Sequence, residues 1–302
     1  TELTGDLISK TFLFIGFSFT DPNIDYILSR IRIDYDSQNN RQHYAIMRKI
    51  KENDYAARAD YEYAKRKHEL FINDLKRYNI QVLLIDEYAE ITVILNEISR
   101  RLNRNHVFIS GSAAEYGEYS EIESMEFISL LSRRLIAADY NIISGFGLGV
   151  GNAVIAGALQ EIYMNSRSIN TDRLLLRPFP RGAVDAATKP VLWKKYREDM
   201  ISRAGISIFL FGNKKNSGKI ELADGVRSEY GIAVEQHNLL VPVGATGYVA
   251  REIWEEVNGN LAKFYAHVDD EFRDAFQKLN VKVDNEKLVD NILKFMELLK
   301  KR

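Results

Sequence analysis

The chain has 302 residues, 41 Lys plus Arg against 42 Asp plus Glu for a formal net charge of −1, and 0 Cys. Balanced charge argues against a nucleic-acid partner, and the lack of Cys excludes disulfides, thiolate nucleophiles, zinc ribbons and iron–sulfur clusters, which points to a reducing, cytoplasmic setting. No apolar run approaches the ~20 residues of a membrane helix, so no membrane partner is expected, and at about 150 residues per domain the length predicts two cores.

In chain order, the apolar run Thr-Phe-Leu-Phe-Ile-Gly from Thr11 to Gly16 predicts an inner strand. Asn23 to Ile33 has helical spacing, His43 to Met47 reads as a strand, Lys51 to Lys76 as one long charged helix, and Ile80 to Ile85 as another buried strand. Ala89 to Leu102 follows as a helix with Ile91, Ile94, Leu95 and Ile98 on one face. This grammar is that of the back half of a parallel-sheet domain, whose front half is expected to precede Thr1. The polar stretch Arg100 to Asn105 is a junction too short for independent tumbling, placing the boundaries at 1–103 and 104–302.

Beyond it, strand and helix alternate in units of roughly 30 residues, the signature of a parallel sheet with crossover helices. Predicted strands are His106 to Ser110, Asn141 to Ser144, Leu174 to Arg177, Ser207 to Phe211 and Leu239 to Val243. Predicted helices are Glu121 to Ala138, Asn152 to Met164, Val191 to Ala204 and Arg227 to Asn238, and two amphipathic helices follow Asp269, the second showing Leu288, Ile292, Leu293, Met296 and Leu299. The expected fold is therefore α/β, two Rossmann-like parallel-sheet domains, the first truncated on its N-terminal side.

In such sheets ligands lie beyond the carboxyl ends of the strands. After the first strand of the second domain come Ser110, Gly111, Ser112 and Ala113, small residues that allow close approach to phosphate or ribose. After the second comes Gly145-Phe146-Gly147-Leu148-Gly149-Val150-Gly151, bare backbone ahead of a helix N-terminus where an anion is favoured. The segment from Asn213 to Lys219 holds three Lys, of which Lys214 suits a phosphate, although a solvated surface loop would look the same. Gly244 and Thr246 lie in a further small-residue turn. Arg197, amid Lys194, Lys195, Glu198 and Asp199, and Glu229 gain meaning only if the fold brings them together. Phe146 either stacks on a base or caps the pocket. No metal site is assigned, and His43 and His68 read as ordinary surface or satisfied histidines.

Residues His106 to Arg302 resemble the SLOG superfamily through Ile-Ser-Gly-Ser-Ala at Ile109 to Ala113, the Gly-rich turn and the later Arg and Glu. Lys195-Tyr196-Arg197-Glu198 and Ser228-Glu229-Tyr230 match two elements of the LOG-type phosphoribohydrolases, while Phe211-Gly212-Asn213-Lys214 replaces their Pro-Gly-Gly cradle. The first segment is similar to the back half of bacterial sirtuin-like domains through Phe14 to Ile24, which implies that Gly16, Ser18, Asp21 and Asn23 belong to the edge of an NAD site. The pairing of the two resembles the NAD-consuming effectors of Thoeris antiphage defence. That resemblance implies a homo-oligomer with NAD as substrate and no tightly bound cofactor. It also implies that a cyclic ADP-ribose isomer, made by a TIR-domain protein, binds the SLOG domain as activator. Arg197 and Lys214 would meet phosphate, Glu229 a ribose hydroxyl, and the loops 110–112 and 145–149 would offer backbone. Catalytic residues are expected before Thr1, so this chain alone is expected to be inactive on NAD. The alternative is a nucleotide phosphoribohydrolase acting through Arg197 and Glu229.

Overall fold

Strands covered by helices on both faces must be apolar on both, and Ile206–Phe211 is buried at every position. The computed structural model describes residues 2–19, 21–34, 41–165, 169–179 and 188–301, and the chain divides into two compact units, Thr1–Glu97 and Ile98–Arg302.

The first unit contains α1 (Glu2–Ser9), β1 (Leu13–Ile15), α2 (Pro22–Asp34), β2 (His43–Arg48), α3 (Arg58–Lys76) and β3 (Ile80–Ile85), and α4 (Ala89–Leu102) crosses the division. Its strands are parallel in the order β1-β2-β3, with Leu13 opposite Tyr44 and His43 opposite Ile80. Leu7, Phe19, Leu28, Ala45, Leu75 and Ile80 form a small core. Three expectations need correction. β1 is a three-residue edge strand of the described sheet with Ile15 exposed, and β3 buries only Ile80 and Ile85, leaving Leu83 and Leu84 exposed. The long helix begins at Arg58 rather than Lys51, because Asp54 accepts the Lys51 backbone N–H at 3.2 Å and both Arg48 Nη groups at 2.7 and 2.8 Å, closing a separate short turn. His43 is a satisfied core histidine: its Nδ1 accepts the Phe12 backbone N–H at 3.1 Å, and burial lowers its pKa.

The second unit runs β4 (His106–Ser112), α5 (Glu121–Ala137), β5 (Asn141–Ser144), α6 (Gly151–Met164), β6 (Leu174–Leu176), α7 (Lys189–Ser202), β7 (Ile206–Phe211), β8 (Asn213–Asn216), β9 (Lys219–Leu222), α8 (Asp224–Glu235) and β10 (Leu239–Pro242). α9 (Tyr248–Gly259), α10 (Leu261–Phe264), α11 (Asp270–Gln277) and α12 (Asn285–Lys300) complete it. Five parallel strands lie in the order β10-β7-β4-β5-β6. The chain steps outward from β4 to β6, returns to β7 and leaves through β10, so the winding reverses between β4 and β7. A crevice opens at the carboxyl ends of strands flanking such a reversal. Local chemistry supports the elements: Ser120 and Glu123 form a capping box at the start of α5, and α12 buries Leu288, Ile292, Met296 and Leu299.

The Lys-rich segment is not a loop. β8 and β9 pair antiparallel as a hairpin, Lys214 opposite Glu221, turned through Ser217 and Gly218 at φ +49° and +84°. Positive φ at both turn positions is what a two-residue hairpin turn demands, and Ser-Gly supplies it. α8 accordingly begins at Asp224, ahead of the predicted Arg227. Among the described residues no helix is long and apolar enough to cross a membrane.

Candidate functional site

The floor of the crevice is two loops pressed together backbone to backbone. A Cβ on Gly147 would lie 1.9 Å from the Gly111 carbonyl oxygen, and one on Gly149, at φ +69°, 2.0 Å from that of Ala113. The Ala113 N–H donates to Leu148 O at 2.8 Å, and the Tyr116 hydroxyl to Gly149 O at 3.0 Å. Glycine is required at 147 and 149 because no side chain fits between the strands of this contact. The Gly151 N–H donates to Gly147 O at 2.8 Å, joining the loop to the first turn of α6. Phe146, at φ +57° and 38% exposed, lays its ring against Gly151, and Leu148 is exposed beside it. The loop therefore presents bare backbone at a helix N-terminus with an aromatic ring at its lip.

Above this floor the fold brings together residues from three separate elements. Glu229 on α8 is buried; Ser110 Oγ at the end of β4 donates to its Oε2 at 2.6 Å, and Arg197 Nε on α7 donates to its Oε1 at 3.3 Å. Burial pushes the Glu229 carboxyl above the usual carboxylate range, opposed by the Ser110 hydrogen bond and the Arg197 charge. The Arg197 guanidinium also lies 4.9 Å from the ring centroid of Phe179, whose edge would meet a Cβ on Gly145 at 3.1 Å. Arg197 engages Glu229 through Nε, and among the described residues no carboxylate pairs with its terminal amino groups.

Asn213, at the base of the hairpin, was not foreseen as a site residue. Its fully buried side chain accepts the N–H groups of Ala114 and Glu115 at 2.8 and 3.1 Å and donates to Glu115 O at 2.8 Å, while its carbonyl accepts the Ser112 hydroxyl at 2.6 Å. It holds the loop that follows Ser110 to Ser112, and the only sequence signal was its place two residues after a strand. Lys214, next in the chain, pairs with Asp224 at the rim. Gly244 and Thr246 are placed differently: a Cβ on Gly244 would meet Asn280 Oδ1 at 2.5 Å, and the buried Thr246 Oγ1 accepts the Phe211 N–H at 2.8 Å and donates to Val243 O at 2.7 Å. They tie β7 to β10 and frame the crevice. Thr246→Val orphans a buried N–H, so it is expected to lower stability by about 1–3 kcal/mol in urea unfolding.

In the first unit, Gly16 adopts φ +65°, and Asp21 Oδ1 accepts the Asn23 N–H at 2.8 Å, opening α2. Gly16 and Ser18 precede this turn beside the rings of Phe14, Phe17 and Phe19, whose centroids lie 4.9 to 5.6 Å apart. Thr20 lies outside the described residues.

A family model described as the Sir2- and TIR-associating SLOG family, STALD, matches residues 90–299, more than half of the chain. The chain belongs to this family. A SIR2-like domain model matches residues 2–82, ahead of the STALD region. The chain is 48% identical over 298 residues to the NAD(+) hydrolase ThsA of Bacillus cereus (strain MSX-D12), covering 98% of this chain and 62% of that relative. It is 44% identical over 306 residues to the protein of that name from Acinetobacter baumannii (strain 532279), covering 99% and 63%, and 42% identical over 295 residues to that of Enterococcus faecium, covering 95% and 59%. The chain thus spans about three fifths of the length of these curated relatives. The crevice over the Gly-rich loop lies wholly within the STALD region.

Proposed function

We propose that this chain is the regulatory region, and part of the effector domain, of an NAD-cleaving defence hydrolase, and that its STALD unit binds a cyclic ADP-ribose isomer which switches that activity on. The observation that carries this reading is the convergence of Ser110, Arg197 and Glu229 over a floor of bare backbone at the start of α6. A cyclised ADP-ribose offers a pyrophosphate, two riboses and an adenine. Arg197 and Lys214 suit its phosphates, the Glu229 carboxylate suits a ribose hydroxyl, the N–H groups of loops 110–112 and 145–149 suit the remaining oxygens, and Phe146 at the lip suits the base. The relatives' names as NAD(+) hydrolases support NAD as the substrate of the whole protein, and the family's association with TIR domains supports a TIR-made signal. Activation requires the ligand to favour one of two arrangements of the intact protein, with a typical coupling of about 1–3 kcal/mol.

Calorimetric titration of the chain with cyclic ADP-ribose isomers tests the reading. Binding is expected, and Glu229→Ala is expected to weaken it about ten- to hundredfold by removing a charge-assisted contact. An unchanged affinity removes Glu229 from the site. Release of adenine from adenosine monophosphate by the chain would instead support phosphoribohydrolase chemistry at Arg197 and Glu229.

A further inference from the structure

Two buried donors near the Gly-rich loop have no acceptor among the described residues, Arg177 Nε and the indole Nε1–H of Trp193. Arg177 directly follows β6, and its backbone N–H donates to Ser144 O at 2.9 Å, one residue before Gly145. Trp193, in the first half of α7, meets Phe179 with ring centroids 5.6 Å apart, and Phe179 is the ring that covers Gly145 and lies against the Arg197 guanidinium. Trp193 thus packs on the ring that covers Gly145, and Arg177 follows β6 with its backbone tied to the end of β5.

Among the described residues the neighbouring arginines are paired, whereas Arg177 Nε has no acceptor. Arg173 donates to the carbonyls of Ile136 and Tyr140 and faces Asp139, and Arg197 has Glu229, whereas no described carboxylate pairs with Arg177. A desolvated N–H without an acceptor costs free energy, and more so on a charged group, so each one calls for an explanation, a bound ion or ligand among them. The unpaired groups here are donors, and Lys189 Nζ, 4.5 Å from the Trp193 ring centroid, adds positive charge. The chemical complement of such a set is a group with many acceptor oxygens and net negative charge.

We infer that Arg177 is a second phosphate-binding arginine of this crevice, with the Trp193 indole N–H beside it, so that the two arginines flanking the Gly145 loop take a diphosphate rather than a single phosphate. The inference rests on the reading of the crevice as a nucleotide-ligand site and adds to it residues that neither the motifs nor the resemblance singled out. It also gives Phe179 a role, as the spacer that holds Trp193 and Arg197 around one anion.

The test is calorimetry on the full chain with inorganic pyrophosphate, ADP-ribose and adenosine monophosphate, comparing wild type, Arg177→Gln and Trp193→Phe, with the Tm of each ligand-free protein. Arg177→Gln is expected to weaken pyrophosphate and ADP-ribose by about tenfold or more while weakening the monophosphate far less. Its ligand-free Tm is expected to hold or rise, because an uncompensated charge has been removed. Trp193→Phe keeps the ring and loses the N–H, and is expected to give a smaller loss on the same two probes. Unchanged pyrophosphate affinity in Arg177→Gln overturns the inference, as does a fall in Tm parallel to the fall in affinity, which would mark a structural arginine. A wild type that binds pyrophosphate and ADP-ribose but no cyclic ADP-ribose isomer overturns the proposed signal and leaves Arg177 in place; a wild type that binds no diphosphate overturns both.

Discussion

Gly147→Ala is expected to abolish ligand binding and to destabilise the second unit, although it adds only one methyl group. That methyl would be built 1.9 Å from the Gly111 carbonyl oxygen, and both partners are backbone, so no side chain can rotate away. The loops after β4 and β5 must separate, which breaks the Ala113 to Leu148 hydrogen bond and moves the N–H groups that would meet a phosphate. Inserting volume into a packed contact costs about 1–3 kcal/mol, and the floor of the site absorbs the displacement. Gly231→Ala is the matched control: it lies on α8, a Cβ there meets nothing within 4 Å, and alanine in a helix interior is expected to be neutral or to stabilise by about 0.5–1 kcal/mol. Urea unfolding and calorimetry on the two variants check the pair. Equal behaviour would mean that the close loop contact is not what shapes the site.

Arg197→Met is expected to destabilise the ligand-free protein in a strongly pH-dependent way. Breaking a buried ion pair from one side typically costs about 3–5 kcal/mol, because the remaining charge is left uncompensated. Here that charge is Glu229, whose folded-state pKa burial already raises and whose remaining partner would be the Ser110 hydroxyl. The sign follows from proton linkage. A carboxyl whose folded pKa lies above its unfolded value of about 4.3 contributes stability that is fully present below that value and is lost as pH rises through the folded pKa. The deficit of Arg197→Met relative to wild type should therefore grow as pH rises above the ordinary carboxylate range and shrink as pH falls back toward it, as Glu229 takes up a proton. Adding Glu229→Gln should flatten the dependence. A deficit independent of pH would show that Arg197 serves the fold through its packing on Phe179 rather than through the carboxylate.

Much of the architecture was legible because it rests on local signals. The apolar runs at Val107 to Ile109 and Ile208 to Phe211 read as strands covered on both faces, and the 3.6-residue spacing of Leu288, Ile292, Met296 and Leu299 as one helix face. The Gly-rich turn was legible for the same reason, since alternating glycines between a strand and a helix state a steric demand without naming the partner that makes it. The hairpin at Asn213 to Leu222 was missed because three Lys masked a Ser-Gly turn signal. The start of α3 was misplaced because Asp54 is claimed by Arg48, a partner six residues back that no helical periodicity encodes.

What the sequence by itself determined is which loops are small, polar and placed after strands. Only the tertiary structure decided which residues of those loops face one another. Arg197 reads as one charge on a solvated face until α7, on the return from β6 to β7, and α8, on the way from β7 to β10, both reach the β4 end, where Arg197 and Ser110 meet Glu229 across 32 and 119 residues of sequence. Thr246 reads as part of a small-residue turn, and only the structure shows its hydroxyl engaged by the Phe211 N–H and the Val243 carbonyl. Arg177 reads as the last residue of a strand until its Nε is seen to have no acceptor among the described residues. Composition and spacing report on contacts within a few residues, whereas pairing and its absence are set by a crossover whose direction depends on the packing of the whole sheet.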